Sequence, residues 1–325
     1  NMRIVTVGTS KICSLLIEAF KMANVEVFAC VGRDATKTEE FARANNVSYN
    51  ANDYDAVLTS DIFDTVYLAL PNHLHYSYAK KALLAGKNVI CEKPMCSNLE
   101  EAKDLVLLAN SQKCFLFDAT TTLHNLAFKQ LKDDIKKIGR IRTVNVDFYK
   151  YSSKYDRFKN GEVTSAFNPE MSGGALMDLG VYNLSFIIGL FGLPKAVKYF
   201  PNIERGVDTS GVAILKYDDF IVNSINGKDA NGGSGFSIRG EEGYIECNMA
   251  PSNFNEYRIY LNDGTIKERT YVSKNQYLDE INDFKLMYDY KNYRKANDYL
   301  MLTLHNMKIL DELRKSAGIE IIGEK

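Results

Sequence analysis

The chain has 325 residues, room for two domains of ordinary size, and its 46% hydrophobic and 25% charged residues are the balance of a protein with a packed core. Lys plus Arg total 40 against 41 Asp plus Glu, a net charge of −1, so the basic surplus that phosphate neutralisation requires is missing and nucleic acid is not expected as a partner. No apolar run approaches the roughly 20 residues of a membrane-spanning helix, and no basic stretch leading into an apolar one marks a secretory signal, so no membrane partner and a cytoplasmic location are expected.

In chain order, Arg3 to Val7 is a β-branched run ending at Gly8, and Ile12, Leu15, Leu16, Ala19 and Phe20 then recur at helical spacing. Val25 to Val31 reads as a second strand and Thr36 to Asn45 as a helix. Thr65 to Leu70 is nearly continuous in apolar residues, as a strand buried on both faces should be. His75 to Leu84 is helical and stops at Gly86; Val89 to Cys91, Leu99 to Ala109 and Cys114 to Phe117 follow as strand, helix and strand. This alternation predicts an α/β domain with a doubly wound parallel sheet.

The remainder changes character. Ile141 to Phe148, Ala196 to Phe200, Gly211 to Tyr217, Phe220 to Asn226, Phe236 to Arg239, Tyr244 to Cys247, Tyr257 to Leu261 and Ile266 to Tyr271 read as short strands. Asp218-Asp219, Gly240 to Gly243 and Asn262-Asp263-Gly264 read as hairpin turns, so an α+β domain with a large, open-faced, mainly antiparallel sheet is expected. Lys228 to Gly235 reads as a flexible loop, and a last helix carries Leu300, Leu304, Met307 and Leu310 on one face. The expected division is residues 1–121 and 122–325. Val212, Ile214, Ile221, Val222 and Ile225 leave more apolar sheet than the helices of that half can cover, which predicts a homo-oligomer built on this sheet.

Cys13, Cys30, Cys91, Cys96, Cys114 and Cys247 contain no CxxC pair and read as small buried hydrophobes of a reducing compartment. The turn Gly8-Thr9-Ser10-Lys11-Ile12-Cys13 stands where a dinucleotide-binding turn belongs, with one glycine kept and Ser10 and Cys13 small enough for the other two positions. At the end of the second strand, Gly32 stands where an NAD-selecting domain carries Asp or Glu. Arg33 follows it with a guanidinium suited to a 2′-phosphate, and Asp34 is placed to cap the next helix. NADP is therefore expected over NAD. His73-Leu74-His75 offers two imidazoles without a carboxylate cluster, and no metal site is expected.

The run Leu70-Pro71-Asn72-His73-Leu74-His75 and then Ala85 to Pro94 (AGKNVICEKP) resembles the oxidoreductases grouped as the glucose–fructose oxidoreductase, inositol dehydrogenase and rhizopine-catabolism family. The resemblance continues through Ile138-Gly139-Arg140-Ile141-Arg142, Gly173 to Tyr182 (GGALMDLGVY) and Gly240 to Glu246, and is nearest to the dihydrodiol and xylose dehydrogenase branch. It implies a Rossmann domain followed by an open-faced sheet domain, with dimers or tetramers paired through that sheet. It also implies cofactor contacts from Leu70, Pro71, Asn72, His75, Glu92 and Lys93, besides those from the Gly8 turn. Lys93 is implied to lie beside the nicotinamide and the reacting hydroxyl, and Asp178 and Tyr182 at the substrate end, after the tight Ser172-Gly173-Gly174 turn.

The residue types suit that role, because Asp178 and Tyr182 are four apart and share a face if helical. A phenol titrates near 10, and a nearby ammonium such as Lys93 would stabilise its anion so that Tyr182 could serve as acid–base. The expected activity is NAD(P)-dependent hydride transfer between nicotinamide and a secondary alcohol or carbonyl of a sugar, polyol or related cyclic alcohol. Two alternatives are a nicotinamide-binding sensor without turnover, and an enzyme that keeps its cofactor and uses transient oxidation for elimination or glycoside cleavage. Asp118 to His124 departs from relatives that carry Glu-Ala and a later Arg here, so no particular substrate is carried over.

Overall fold

The computed structural model describes residues 1–169 and 173–323; Ser172 of the expected tight turn lies outside the described residues. The chain forms two compact units, one of residues 1–119 and 274–303, the other of 120–273 and 304–323.

The first unit alternates strictly: β1 (Arg3–Val7), α1 (Lys11–Met22), β2 (Glu26–Val31), α2 (Ala35–Ala44), β3 (Tyr49–Ala51), α3 (Tyr54–Val57), β4 (Thr65–Leu68), α4 (His75–Leu84), β5 (Asn88–Glu92), α5 (Leu99–Gln112) and β6 (Leu116–Ala119). All six strands are parallel, in the order β3-β2-β1-β4-β5-β6. Every residue of β4 is buried, which explains its continuous apolar sequence: parallel strands are covered on both faces. The order reverses between β1 and β4, and this reversal opens a crevice at the carboxyl ends of those strands.

The second unit contains α6 (Thr121–His124), α7 (Leu126–Asp134), β7 (Ile141–Tyr149), α8 (Ser153–Lys159), a π-helical turn (Leu176–Gly180) running into α9 (Val181–Phe191), and then β8 (Ala196–Glu204), β9 (Val207–Lys216), β10 (Ile221–Gly227), β11 (Gly235–Gly240), β12 (Gly243–Cys247), β13 (Glu256–Leu261) and β14 (Ile266–Thr270). These strands form one sheet, β14-β13-β12-β11-β7-β10-β9-β8, antiparallel except for the β7–β10 pair. Phe186 of α9 packs on Phe236 of β11 against one face, their ring centres 4.6 Å apart. On the other, register aligns exposed Phe200 with half-buried Val212 and Ile225 in one row, and Ile221 and Tyr244 are exposed. Val222, expected on the open face, is instead fully buried: adjacent strand residues face opposite ways, so Ile221 and Val222 cannot share a surface.

Two helices follow the sheet, α10 (Leu278–Asp289) and α11 (Tyr293–Ser316). Ile281, Phe284, Met287 and Ala296 join the first unit's core, with Phe284 stacked on Phe117 at 4.6 Å and Tyr293 on Phe115 at 4.2 Å. The compact first unit thus includes a segment that lies after the sheet in sequence. The helical signal of Leu278–Asp289 is masked by Glu280 and Asp283, which are charged yet buried.

Candidate active site

In the first unit the chain leaves β1 at Gly8 with φ +123°, and a Cβ there would lie 2.3 Å from the Ala69 carbonyl oxygen. Only glycine permits both the backbone angle and that approach, and its N–H donates to Val31 O at 2.8 Å. Thr9, Ser10, Lys11 and Ile12 are exposed at the start of α1. The Ser10 side chain makes no capping bond, and no acidic residue occupies the first turn. Cys13 is fully buried, which meets the need for a small residue where helix packs on strand, and burial pushes its thiol pKa well up. This turn fits a pyrophosphate: exposed residues 9–12 in the first turn, a helix dipole, and no acidic side chain in that turn to repel it.

Gly32 is also required by packing, since a Cβ would lie 2.3 Å from Thr38 Oγ1. Arg33 beside it is exposed and has no hydrogen-bond or ion-pair partner among the described residues, while Asp34 caps α2 by accepting from Lys37 N at 2.9 Å.

Beyond β4, Leu70, Pro71 and Asn72 are half-buried and lead into a 3₁₀ turn. His75 is fully buried, with Nε2 2.7 Å from Leu70 O and Nδ1 2.7 Å from Pro94 O. A neutral imidazole can donate to one of these carbonyls, and burial holds its pKa below the ordinary value. His75 therefore joins the 70–72 segment to the segment after β5 through their backbones, and neither ring nitrogen is left for a metal. Glu92 ends β5 and accepts from Tyr67 OH at 2.5 Å. Burial pushes its carboxyl pKa up, although Tyr67 and Lys93 oppose this. Lys93 follows, half-buried, at the carboxyl end of the sheet. Glu280 is 1% exposed, and its carboxyl pKa is pushed well up by burial and by the nearby carboxylates of Glu92 and Asp118.

In the second unit, Asp178 sits on the π-helical turn and Tyr182 one turn later on α9. Tyr182 is half-buried, its ring 5.7 Å from that of Phe148. Two glycines fix this segment: a Cβ on Gly174 would lie 2.1 Å from Asp208 Oδ1, and one on Gly180 would lie 2.6 Å from Asn226 Oδ1. Asp208 Oδ2 accepts from Leu176 N at 2.9 Å and from Tyr199 OH at 2.7 Å, which anchors the start of the turn. Its burial pushes the carboxyl pKa up to about 6.

Lys228, expected in a flexible loop, is instead buried immediately after β10 and forms an ion pair with Asp178. The glycine-rich residues that follow give a local loop signal, whereas the burial of Lys228 comes from an acid fifty positions earlier. Sequence reasoning missed Lys228, Asp208 and Glu280; each is a charged residue in a polar or weakly patterned stretch, and nothing local marks it as buried.

Residues 2–119 match the GFO/IDH/MocA oxidoreductase family, described as having an NAD-binding Rossmann fold, and residues 128–246 match the GFO/IDH/MocA C-terminal domain. The scyllo-inositol 2-dehydrogenase (NADP(+)) IolU of Bacillus subtilis (strain 168) is 32% identical over 327 residues, 98% of this chain and 97% of that protein. A trans-1,2-dihydrobenzene-1,2-diol dehydrogenase of Mus musculus is 29% identical over 197 residues, 59% of this chain and 57% of that one. Among solved structures, the 3-ketoreductase KijD10 from Actinomadura kijaniata, in complex with NADP and TDP-benzene, has TM-score 0.85 at 21% identity, covering 97% of this chain and 98% of that one. With both family domains matched in order and a dehydrogenase matched along nearly its whole length, the chain belongs to the GFO/IDH/MocA family and is an NAD(P)-binding oxidoreductase.

Proposed function

We propose that this enzyme oxidises a secondary alcohol of a neutral sugar, polyol or cyclic alcohol, or reduces the corresponding carbonyl, with NADP preferred over NAD. The observation that carries the reading is the coincidence, on one sheet, of a tight glycine turn at Gly8 leading into the exposed first turn of α1 and Lys93 at the carboxyl end of β5. The reading is further supported by the likeness to a dehydrogenase named for scyllo-inositol and NADP(+).

Thr9, Ser10, Lys11 and Ile12 would hold the pyrophosphate, Arg33 the 2′-phosphate, and Leu70, Pro71, Asn72 and Lys93 the nicotinamide half. His75 and Glu92 would shape that half from behind. When bound, the nicotinamide supplies the hydride acceptor or donor. Tyr182 takes the hydroxyl proton during oxidation and returns it during reduction, Lys93 stabilises the developing charge on the substrate oxygen, and Asp178 accepts a hydrogen bond from a substrate hydroxyl. Residues 1–121 would form the cofactor domain and 122–325 the substrate and assembly domain, except that residues 274–303 pack into the core of the first unit.

Exposed Phe200, Ile221 and Tyr244, with half-buried Val212 and Ile225 aligned beside Phe200, support a homodimer or homotetramer joined through this sheet. All six cysteines are buried free thiols, which supports a reducing, cytoplasmic location. None of the described helices is long and apolar enough to cross a membrane. The functional test is nicotinamide reduction across a panel of sugars and polyols with each cofactor. Turnover on at least one member, faster with NADP, is expected; no turnover on any member by protein that binds NADPH would overturn the proposal.

A further inference from the structure

We propose that Lys228 is a positioning residue that holds the Asp178 carboxylate ready to accept a hydrogen bond from a neutral polyhydroxylated substrate. The inference rests on the substrate role given above to Asp178. The Lys228 side chain is 5% exposed, and its ammonium pairs with Asp178 Oδ2 while lying 4.8 Å from the centre of the Phe167 ring. An ammonium so far removed from water is unfavourable unless a counter-charge compensates it, and Asp178 provides that counter-charge.

The backbone around Lys228 is fixed on both sides. Its N–H donates to Thr209 O at 2.9 Å, and its carbonyl accepts from Ser152 N at 3.2 Å. A Cβ on the preceding Gly227 would lie 2.2 Å from the Tyr149 ring, so the strand can leave the sheet here only through glycine. The next residue, Asp229, accepts from Thr209 Oγ1 at 2.8 Å and Ser210 Oγ at 2.7 Å, so the charge beside Lys228 is held in place separately. The lysine is therefore preset against Phe167 and the π-helical turn rather than drawn in from solvent.

Asp178, by contrast, keeps 37% of its side-chain surface exposed. The pair thus presents a carboxylate of fixed orientation whose charge is already neutralised. Such a group accepts from a hydroxyl without drawing in a cation, and its buried ammonium is not available to bind an anionic substrate.

The test compares wild type, Lys228→Met, Lys228→Arg and Asp178→Asn on neutral sugars and cyclic polyols and on their carboxylated counterparts, from about pH 5 to about pH 9. NADPH affinity is measured by fluorescence titration as a readout independent of turnover. For Lys228→Met, KM for neutral substrates should rise about tenfold or more, with a smaller change in kcat. A new loss of activity at acid pH should also appear, because the half-buried carboxylate loses the ammonium that favours its charged form. Lys228→Arg should recover part of the KM, Asp178→Asn should raise KM without the acid loss, and all four should bind NADPH within a few-fold of each other.

If Lys228→Met does not fold, Lys228→Gln, which also removes the charge, takes its place in each comparison. An unchanged KM and pH profile in Lys228→Met, or Lys228→Arg no better than Met, would overturn the assignment. A wild type that binds NADPH yet turns over no member of the panel would instead overturn the proposed function, and the role of Lys228 with it.

Discussion

Replacing Asp208 with Asn should change how stability depends on pH more than it changes stability at any one pH. Asp208 is 5% exposed in β9, and its pKa is pushed from 3.8 up to about 6 by burial, against the pull of Tyr199 OH and Leu176 N. The folded state therefore binds this proton more tightly than the unfolded state does. The resulting stabilisation is fully present below the unfolded value near 4 and is lost as pH rises through about 6. A shift of about two pKa units at about 1.4 kcal/mol each corresponds to about 3 kcal/mol in total, of which about 2 falls between pH ~4.5 and pH ~7.5. The substituted amide does not titrate, so the unfolding free energy of Asp208→Asn minus that of wild type should rise by about 2 kcal/mol over that interval. Urea unfolding of both proteins at four or so pH values measures it directly. Parallel stability profiles would refute the reasoning, since they would mean that Asp208 titrates alike in the folded and unfolded chains. Because Leu176 N depends on this carboxylate, the variant should also loosen the turn that carries Asp178.

Gly8→Ala forces a side chain to within 2.3 Å of Ala69 O at φ +123°; we expect about 1–3 kcal/mol lower stability by urea unfolding and at least about tenfold weaker NADPH binding by fluorescence titration. Arg33→Ala should weaken NADP about tenfold and leave NAD nearly unchanged; tighter NAD than NADP binding in wild type, or an unaltered ratio in the variant, would count against the 2′-phosphate role. Light scattering at micromolar concentration should give the mass of a dimer or tetramer, and a monomer mass would refute assembly through the open sheet face.

Much of the architecture is legible because its causes are local. The fully buried β4 shows as an uninterrupted apolar run, and the glycine-bounded hairpins of the second sheet mark their own turns. Gly8, Lys93, Asp178 and Tyr182 stand out through motif context, with glycines at points of close approach. What stays hidden depends on distant partners. Lys228 looks like a loop residue until Asp178 and Phe167 are folded against it, and Asp208 looks like a polar residue ahead of a strand until Tyr199 and Leu176 close around it. The helix Leu278–Asp289 is hidden for a related reason: its buried face includes Glu280 and Asp283, so its apolar periodicity is broken where it packs into the first unit. Single-residue alternation also limits surface reading, as the opposite fates of Ile221 and Val222 make plain.

The central claim, that Lys93 and Tyr182 serve one proton-transfer step, is tested most directly by the turnover of Lys93→Met, Tyr182→Phe and the double variant under saturating NADP and substrate. Each single variant should lose about a hundredfold in kcat, equivalent to about 2.7 kcal/mol, with NADPH affinity within about tenfold of wild type. The double variant should be little worse than either single one, as for groups that act as a unit. Turnover near the wild-type rate in Tyr182→Phe, or losses that simply multiply in the double variant, would contradict it.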